Sequence, residues 1–175
     1  LPEYYYPTFE AAEIHSMSME FFAYPWMDNF FKEDVNKYKF SHLSGSISFL
    51  PYGAAIDEFQ HFVYENPTIS IEERNSGWLR IEQEYGLTSD KDGNNYLLSG
   101  RFWQKQGHLF SMPFYYIDYT LAQVCAFQFW EKSTIDFESA WSDYLNLCNL
   151  GGSLPFTQLV EAAKLKSPFI KENMK

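Results

Sequence analysis

The sequence predicts an all-α protein, an irregular bundle of many helices, and three observations support that class. Nearly every segment with a clear hydrophobic period repeats about every 3.6 residues, the period of an α-helix. No stretch of convincing length alternates apolar and polar residues as a half-buried strand does. Serine, proline and glycine residues stand where helices would begin and end. We therefore expect residues 1–175 to form a single helical domain.

The first predicted helix follows Pro7 and Thr8 and ends where Pro25 removes a backbone donor. Within it, Glu13 and Glu20 lie seven residues apart, so both carboxylates fall on one face, about two turns apart. The apolar stripe beside them consists of Ile14, Met17 and Phe21. Two acidic side chains beside an apolar core either have a specific role or lie at the solvated edge of the helix.

A second helical stretch follows Asp34, and Pro51 with Gly53 predicts a kink or break within it. The helical period then resumes at Ile56 and ends at Pro67. The segment Ser70-Ile-Glu-Glu73 matches a capping box and predicts the start of the next helix, which ends at Gly86. The polar run at 88–95 predicts a loop.

The last third of the chain predicts three further helices. Pro113 can occupy the first turn of a helix that continues to about Trp130 and is apolar on nearly all sides, as a central helix is. The next apolar stripe ends at Gly151, and a short one follows it. Their apolar positions are Phe137, Trp141, Tyr144, Leu145 and Cys148, then Phe156, Leu159, Val160 and Ala163.

Composition excludes several classes of protein. Aromatic residues make up 20% of the chain, which allows a large core. The tyrosine hydroxyls and tryptophan N–H groups would add hydrogen-bonding groups to that core. The net charge of -10, with no basic cluster, disfavours nucleic acid as a partner. The two cysteines form no disulfide framework, and no segment is a signal peptide or a membrane span. We expect a cytoplasmic protein with no membrane partner.

The sequence contains few of the short motifs that identify a catalytic site on their own. No His-Glu-x-x-His or G-x-S-x-G motif occurs, and Glu58-Phe-Gln-His61 has no second copy, as a di-iron bundle would need. His108 precedes a helix start followed by Tyr115, Tyr116 and Tyr119. Their spacing allows two hydroxyls to face one cavity, although the same rings could simply be core residues.

Three blocks in order resemble the C-terminal part of oligoendopeptidase F, in the thimet oligopeptidase-type family of zinc metallopeptidases. The blocks are AEIHSMSMEFFAYPW (12–26), PYGAAIDEFQHFVYENP (51–67) and GHLFSMPFYYIDYTLAQ (107–123). The segment GGSLPFTQLVEAA (151–163) and the following SPF resemble the family's C-terminus, so the resemblance covers essentially the whole chain. It implies the C-terminal part of a zincin-like helical catalytic domain.

This resemblance gives Glu13 the role of the third zinc ligand. In the family, a helix with His-Glu-x-Gly-His supplies two ligands and the general base, and a glutamate on the next helix completes the set. Two histidines and a glutamate leave a fourth position open for the attacking water. The His-Glu-x-Gly-His helix is missing before Leu1, so we expect this chain to be a fragment of a longer polypeptide whose N-terminal part is its partner.

The resemblance also implies roles for the other candidates. Glu20 would support the metal site from a second layer, or it is a solvated edge carboxylate. His108, Tyr119 and, one turn before it, Tyr116 match substrate-side catalytic residues, with Tyr115 a rival for the position of Tyr116. We expect a zinc endopeptidase acting on short peptides, of which this chain alone is inactive. The alternative is a non-catalytic helical module that binds peptides in a Tyr-lined groove.

Overall fold

The computed structural model describes residues 1–87 and 90–174, and in them every regular element is a helix. The α-helices are α1 (Phe9–Phe22), α2 (Asp28–Phe31), α3 (Val35–Glu65), α4 (Ile71–Glu84), α5 (Asn95–Leu98), α6 (His108–Ser111), α7 (Tyr116–Ile135), α8 (Phe137–Leu150) and α9 (Phe156–Ala162). Short 3₁₀ helices cover Pro2–Tyr4, Tyr24–Trp26, Lys32–Asp34, Phe102–Lys105 and Lys171–Met174. The predicted all-α class is confirmed.

Local signals place the ends of α1 and α4 correctly. Thr8 is the N-terminal cap of α1, and the 3₁₀ turn containing Pro25 follows its end. At α4 the capping box is complete: the Ser70 hydroxyl accepts from the Glu73 amide at 3.2 Å, and the Ser70 amide donates to the Glu73 carboxylate at 2.8 Å. Gly86 follows α4 with φ +66°, a conformation that glycine adopts at little cost.

Of the two alternatives predicted at Pro51, the break is wrong, because α3 runs through this residue as a single 31-residue helix; the kink stays a prediction. A proline inside a helix removes one backbone hydrogen bond. The residues one turn and more beyond it, Ala55, Ile56 and Phe59, are at most 2% exposed, so their burial favours continuation of the helix. Tertiary packing therefore overrides the local signal.

The predicted helix start at Pro113 is also wrong, since α6 ends at Ser111 and α7 begins at Tyr116. Between them Phe114 has φ +64°, a left-handed conformation that is costly for an aromatic residue. The Phe114 amide donates to the Gln60 side-chain oxygen at 2.6 Å, so a residue of α3 holds this turn in place.

The predicted loop at 88–95 is described only in part, because Thr88 and Ser89 lie outside the described residues. From residue 90 the chain is irregular until Asn94, whose side-chain oxygen accepts from the amides of Tyr96 and Leu97 and so caps α5.

The chain divides into two compact units: unit 1 is Leu1–Ser46 with Asp118–Lys175, and unit 2 is Ile47–Ile117. The expectation of one domain over 1–175 stays a prediction. In unit 1, α1, α7, α8 and α9 bury a common core around Phe22, Cys125, Phe129 and Leu159. The buried core of unit 2 consists of Ala55, Ile56, Phe59, Trp78 and Ile81.

One buried charge cluster stabilises unit 1. Asp143, 5% exposed, accepts from Lys132 at 2.7 Å and pairs with Lys164 at 2.8 Å. Burial alone would raise the pKa of Asp143, but the hydrogen bonds from the two lysines outweigh it and hold that pKa below its ordinary value.

None of the described helices is both long and apolar enough to cross a membrane.

Candidate functional site

The candidate residues fall in both units. Unit 1 contains Glu13, Glu20 and Tyr119, and unit 2 contains His108, Tyr115 and Tyr116.

Glu13 lies half-buried in the middle of α1. Its Oε2 accepts a hydrogen bond from the Ser16 hydroxyl at 2.8 Å, and that hydroxyl also lies 3.1 Å from the Glu13 carbonyl oxygen. Ser16 is one turn further along α1 and so restrains the carboxylate where the helix presents it. A restrained carboxylate is a group that can act as a metal ligand.

Glu20 heads a chain of three hydrogen-bonded side chains. Its Oε2 lies 2.7 Å from Nε2 of His42, and Nδ1 of the same ring lies 2.6 Å from the Tyr24 hydroxyl. Burial, with smaller effects of Tyr38 and Glu20, raises the pKa of Tyr24 to about 12. The Tyr24 hydroxyl is therefore protonated at neutral pH and can donate to His42, whose other nitrogen then donates to Glu20.

His108 is held by a similar chain in unit 2. The Tyr52 hydroxyl donates to Gln106 Oε1 at 3.0 Å, and Gln106 Nε2 lies 2.7 Å from His108 Nδ1. With the amide in this orientation, Gln106 donates to Nδ1, so the neutral imidazole carries its proton on Nε2. Burial, followed by the effect of Tyr116, raises the pKa of Tyr52 and keeps this donor protonated.

The structure brings His108 together with two of the predicted tyrosines. Its ring centroid lies 5.0 Å from that of Tyr116, in an edge-to-face arrangement, and 6.0 Å from that of Tyr115. Tyr116 also packs edge-to-face on Phe49 and on Tyr52. The rivalry between Tyr115 and Tyr116 remains open, because both lie beside the same imidazole.

Tyr119 lies in the first turn of α7 and is half-buried. Its predicted role next to substrate stays a prediction, as do the roles of Glu13, Glu20, His108, Tyr115 and Tyr116.

The described residues contain no group of three or more His, Cys, Asp or Glu side chains arranged to hold a metal ion. Glu58 and His61 have other partners, because Tyr85 donates to Glu58 at 2.9 Å and His61 lies 3.5 Å from Asp57. Within the described part of the chain, Glu13 fits a zinc site only as one ligand beside others that these residues do not provide.

Sequence reasoning missed the residues that hold the candidates in place. Gln106, two residues before His108, could have been noticed as a neighbour. Tyr52 and His42 lie 54 residues from Gln106 and 22 residues from Glu20, respectively, and no spacing rule links residues so far apart. Only the packing of helices shows these pairs.

Comparisons with known proteins give one consistent result. No protein-family model and no curated protein matches the chain. Over 99% of its length, it is 60% identical to a solved structure described as PZ peptidase A with inhibitor 2, with a TM-score of 0.96, and a structure described as an oligoendopeptidase F gives the same values. A third, described as an oligoendopeptidase F from Bacillus anthracis, is 52% identical over 98% of the chain, with a TM-score of 0.81. The chain spans 31%, 31% and 27% of the lengths of these three chains.

Proposed function

The chain belongs to the oligoendopeptidase F family, and from this membership we propose that it is part of a zinc-dependent endopeptidase that cleaves internal amide bonds of short peptides. The observation that carries the proposal is the match of nearly the whole chain to structures described as peptidases, at high identity and with the same fold. The remainder of a longer polypeptide would be its partner, because the chain spans about a third of those structures.

We propose that Glu13 is the third zinc ligand and that two histidines of the longer polypeptide are the others. Its carboxylate is restrained by Ser16, and a carboxylate oxygen is a ligand that zinc accepts beside two imidazoles. When bound, zinc supplies a Lewis acid that makes a water molecule nucleophilic at neutral pH. Glu20 would act indirectly, because its contact with His42 fixes the end of α1, the helix on which Glu13 also lies.

His108, Tyr116 and Tyr119 would act on the substrate side. Attack on the scissile amide places negative charge on the carbonyl oxygen, and a fixed N–H or O–H donor stabilises that charge as it develops. The support for His108 is the contact of its Nδ1 with Gln106, which holds the ring and, in the neutral imidazole, places the proton on Nε2. Tyr115 would bind substrate or exchange roles with Tyr116, since both rings lie against His108.

A cytoplasmic location is part of the proposal. Cys125 and Cys148 are free thiols, and the first is buried, which suits a reducing compartment.

Peptide hydrolysis tests the proposal directly. A polypeptide in which a His-Glu-x-Gly-His helix precedes this chain should cleave a short internally quenched peptide, lose that activity to a zinc chelator and regain it with added zinc. The chain alone should be inactive, because it carries one ligand of three. Peptide binding without cleavage by the longer polypeptide would contradict the proposal and favour a helical peptide-binding module.

A further inference from the structure

Unit 2 contains an aromatic pocket with a cavity of about 160 Å³. Two of its lining residues, Leu109 and Phe110, directly follow His108 in the sequence. Its apolar wall includes Phe59, Trp103, Leu109 and Phe110. Trp103 lies between the other two rings, with centroids 5.1 Å from Phe59 and 5.9 Å from Phe110. The indole N–H of Trp103 donates to Asn75 at 3.0 Å, so the ring offers the pocket only its apolar surface.

Two polar side chains interrupt this wall, Gln60 and Arg74. Gln60 is 3% exposed, and its oxygen accepts from Phe114, but its buried Nε2 has no hydrogen-bond partner among the described residues. The buried Nε of Arg74 likewise has no partner there, and its Nη2 makes only a long contact of 3.4 Å with the Pro67 carbonyl oxygen. Buried donors of this kind usually have an acceptor, and these two belong to residues that line the pocket.

The charge of Arg74 defines the kind of acceptor. No ion pair of Arg74 is found within residues 1–87 and 90–174, whereas Arg80 on the same helix pairs with Glu84 at 2.9 Å and lies 3.7 Å from Glu58. A guanidinium binds a carboxylate through parallel N–H donors, and an adjacent amide N–H adds a third. An apolar wall around that head group calls for a ligand that joins a carboxylate to an apolar body.

The size of the cavity limits that body. A dry apolar cavity of about 150 Å³ accommodates a benzene ring, so a cavity of about 160 Å³ has room for one aromatic or large aliphatic side chain. Phe110 is 65% exposed, so the wall of the pocket reaches the surface of this chain.

We propose that this pocket binds the C-terminal residue of a peptide, with its apolar side chain against Phe59, Trp103 and Phe110 and its free carboxylate on Arg74 and Gln60. That the ligand is a peptide rests on the proposed function. Leu109 and Phe110 directly follow His108, the proposed substrate-side residue, on α6. Such a pocket binds the C-terminal end of a substrate, so the enzyme favours short peptides with an apolar C-terminal residue.

Nuclear magnetic resonance on the 15N-labelled chain tests the pocket without zinc or cleavage. The probes are N-acetyl-phenylalanine, its C-terminal amide and N-acetyl-glutamate amide, which carries its carboxylate on the side chain. We expect the free acid to shift the Arg74 Nε–H and Gln60 side-chain NH₂ signals, with binding at least about tenfold tighter than that of either other probe. Equal binding of the free acid and its amide, or of N-acetyl-glutamate amide, would overturn the proposal.

Two arginine variants on α4 provide a matched comparison. Arg74→Gln should remove the preference for the free acid, and Arg80→Gln, which alters an exposed arginine outside the pocket, should retain it. Unchanged preference in Arg74→Gln would also overturn the proposal. Failure of the proposed peptidase activity would leave these outcomes intact, because neither binding nor the preference depends on the metal.

Discussion

At the scale of single residues, the hydrogen bonds of His108 decide what its imidazole can do. Gln106 donates to Nδ1, and Tyr52 orients Gln106, so the neutral ring carries its proton on Nε2. A donor on a ring held at its other nitrogen costs little reorganisation when charge develops opposite it. This arrangement makes His108 and the tyrosines beside it the best candidates for contact with substrate.

Tyr119, in unit 1, gives a separate and sharp test of the proposed substrate-side roles. Tyr119→Phe in the longer polypeptide removes only a hydroxyl, so we expect kcat to fall by about 10²–10³ with little change in KM, zinc content or melting temperature. Tyr115→Phe is the matched comparison and should lower kcat less. Normal kcat with a reduced melting temperature would instead identify Tyr119 as a core residue.

Site residues could be predicted individually, but their supports could not. Glu13 and Glu20 were found through helical spacing and the family resemblance, both of which use local sequence. The partner of Glu20 is His42, on a different helix, and the partner of Gln106 is Tyr52, far along the chain. These contacts depend on tertiary packing, which a local pattern does not encode.

At the scale of elements, the same distinction separates correct from wrong helix boundaries. The start of α4 was predicted because Ser70 and Glu73 satisfy each other's backbone groups within one turn. The break considered at Pro51 and the helix start predicted at Pro113 are wrong because residues distant in the sequence determine the structure there. Buried side chains favour continuation of α3 beyond Pro51, and Gln60 holds Phe114 in a left-handed turn. Proline is a reliable boundary signal only where packing does not oppose it.

The capping box predicts the cost of a single substitution in α4. Ser70→Ala leaves the Glu73 amide without its acceptor, so the free energy of unfolding should fall by about 0.5–2 kcal/mol in urea denaturation. Ser76→Ala, at an exposed position within the same helix, is the control and should change stability much less. An equal loss in both variants would show that the cap contributes nothing specific.

At the scale of the whole molecule, buried and partly buried tyrosines link stability to alkaline pH. Burial is the largest cause of a raised pKa in Tyr24 and Tyr85, to about 12 in each, and it also raises the pKa of Tyr52 and Tyr144. An unfolded tyrosine has a pKa of about 10. Between about pH 10 and pH 12 the unfolded chain therefore loses phenolic protons that the folded chain retains, which favours unfolding.

We accordingly expect stability in urea to be constant with respect to these groups below about pH 10 and to decline above it. Tyr24→Phe should make the decline shallower, whereas Tyr6→Phe, at a position 84% exposed, should leave it unchanged. Ultraviolet titration of tyrosinate in the folded protein provides the independent measurement. A decline of equal steepness in Tyr24→Phe would refute the contribution of that side chain.

The fold class was predictable because it depends on periodicity summed over the whole chain, and single wrong boundaries do not alter it. The division of the chain into two units was not predicted, because unit 1 joins residues from both ends of the sequence. An association between residues so far apart in the sequence produces no local sequence signal at the two unit boundaries, after Ser46 and before Asp118.

The metal content of the Glu13→Gln variant in the longer polypeptide tests the central claim most directly. A neutral amide donates less charge to zinc, so we expect the purified variant to contain much less zinc than the unmodified protein and to lose peptidase activity in proportion. Glu20→Gln is the matched control, and its loss should be milder, at most about 10–100-fold in affinity or activity. Full zinc occupancy with normal turnover in Glu13→Gln would contradict the account and place the third ligand elsewhere.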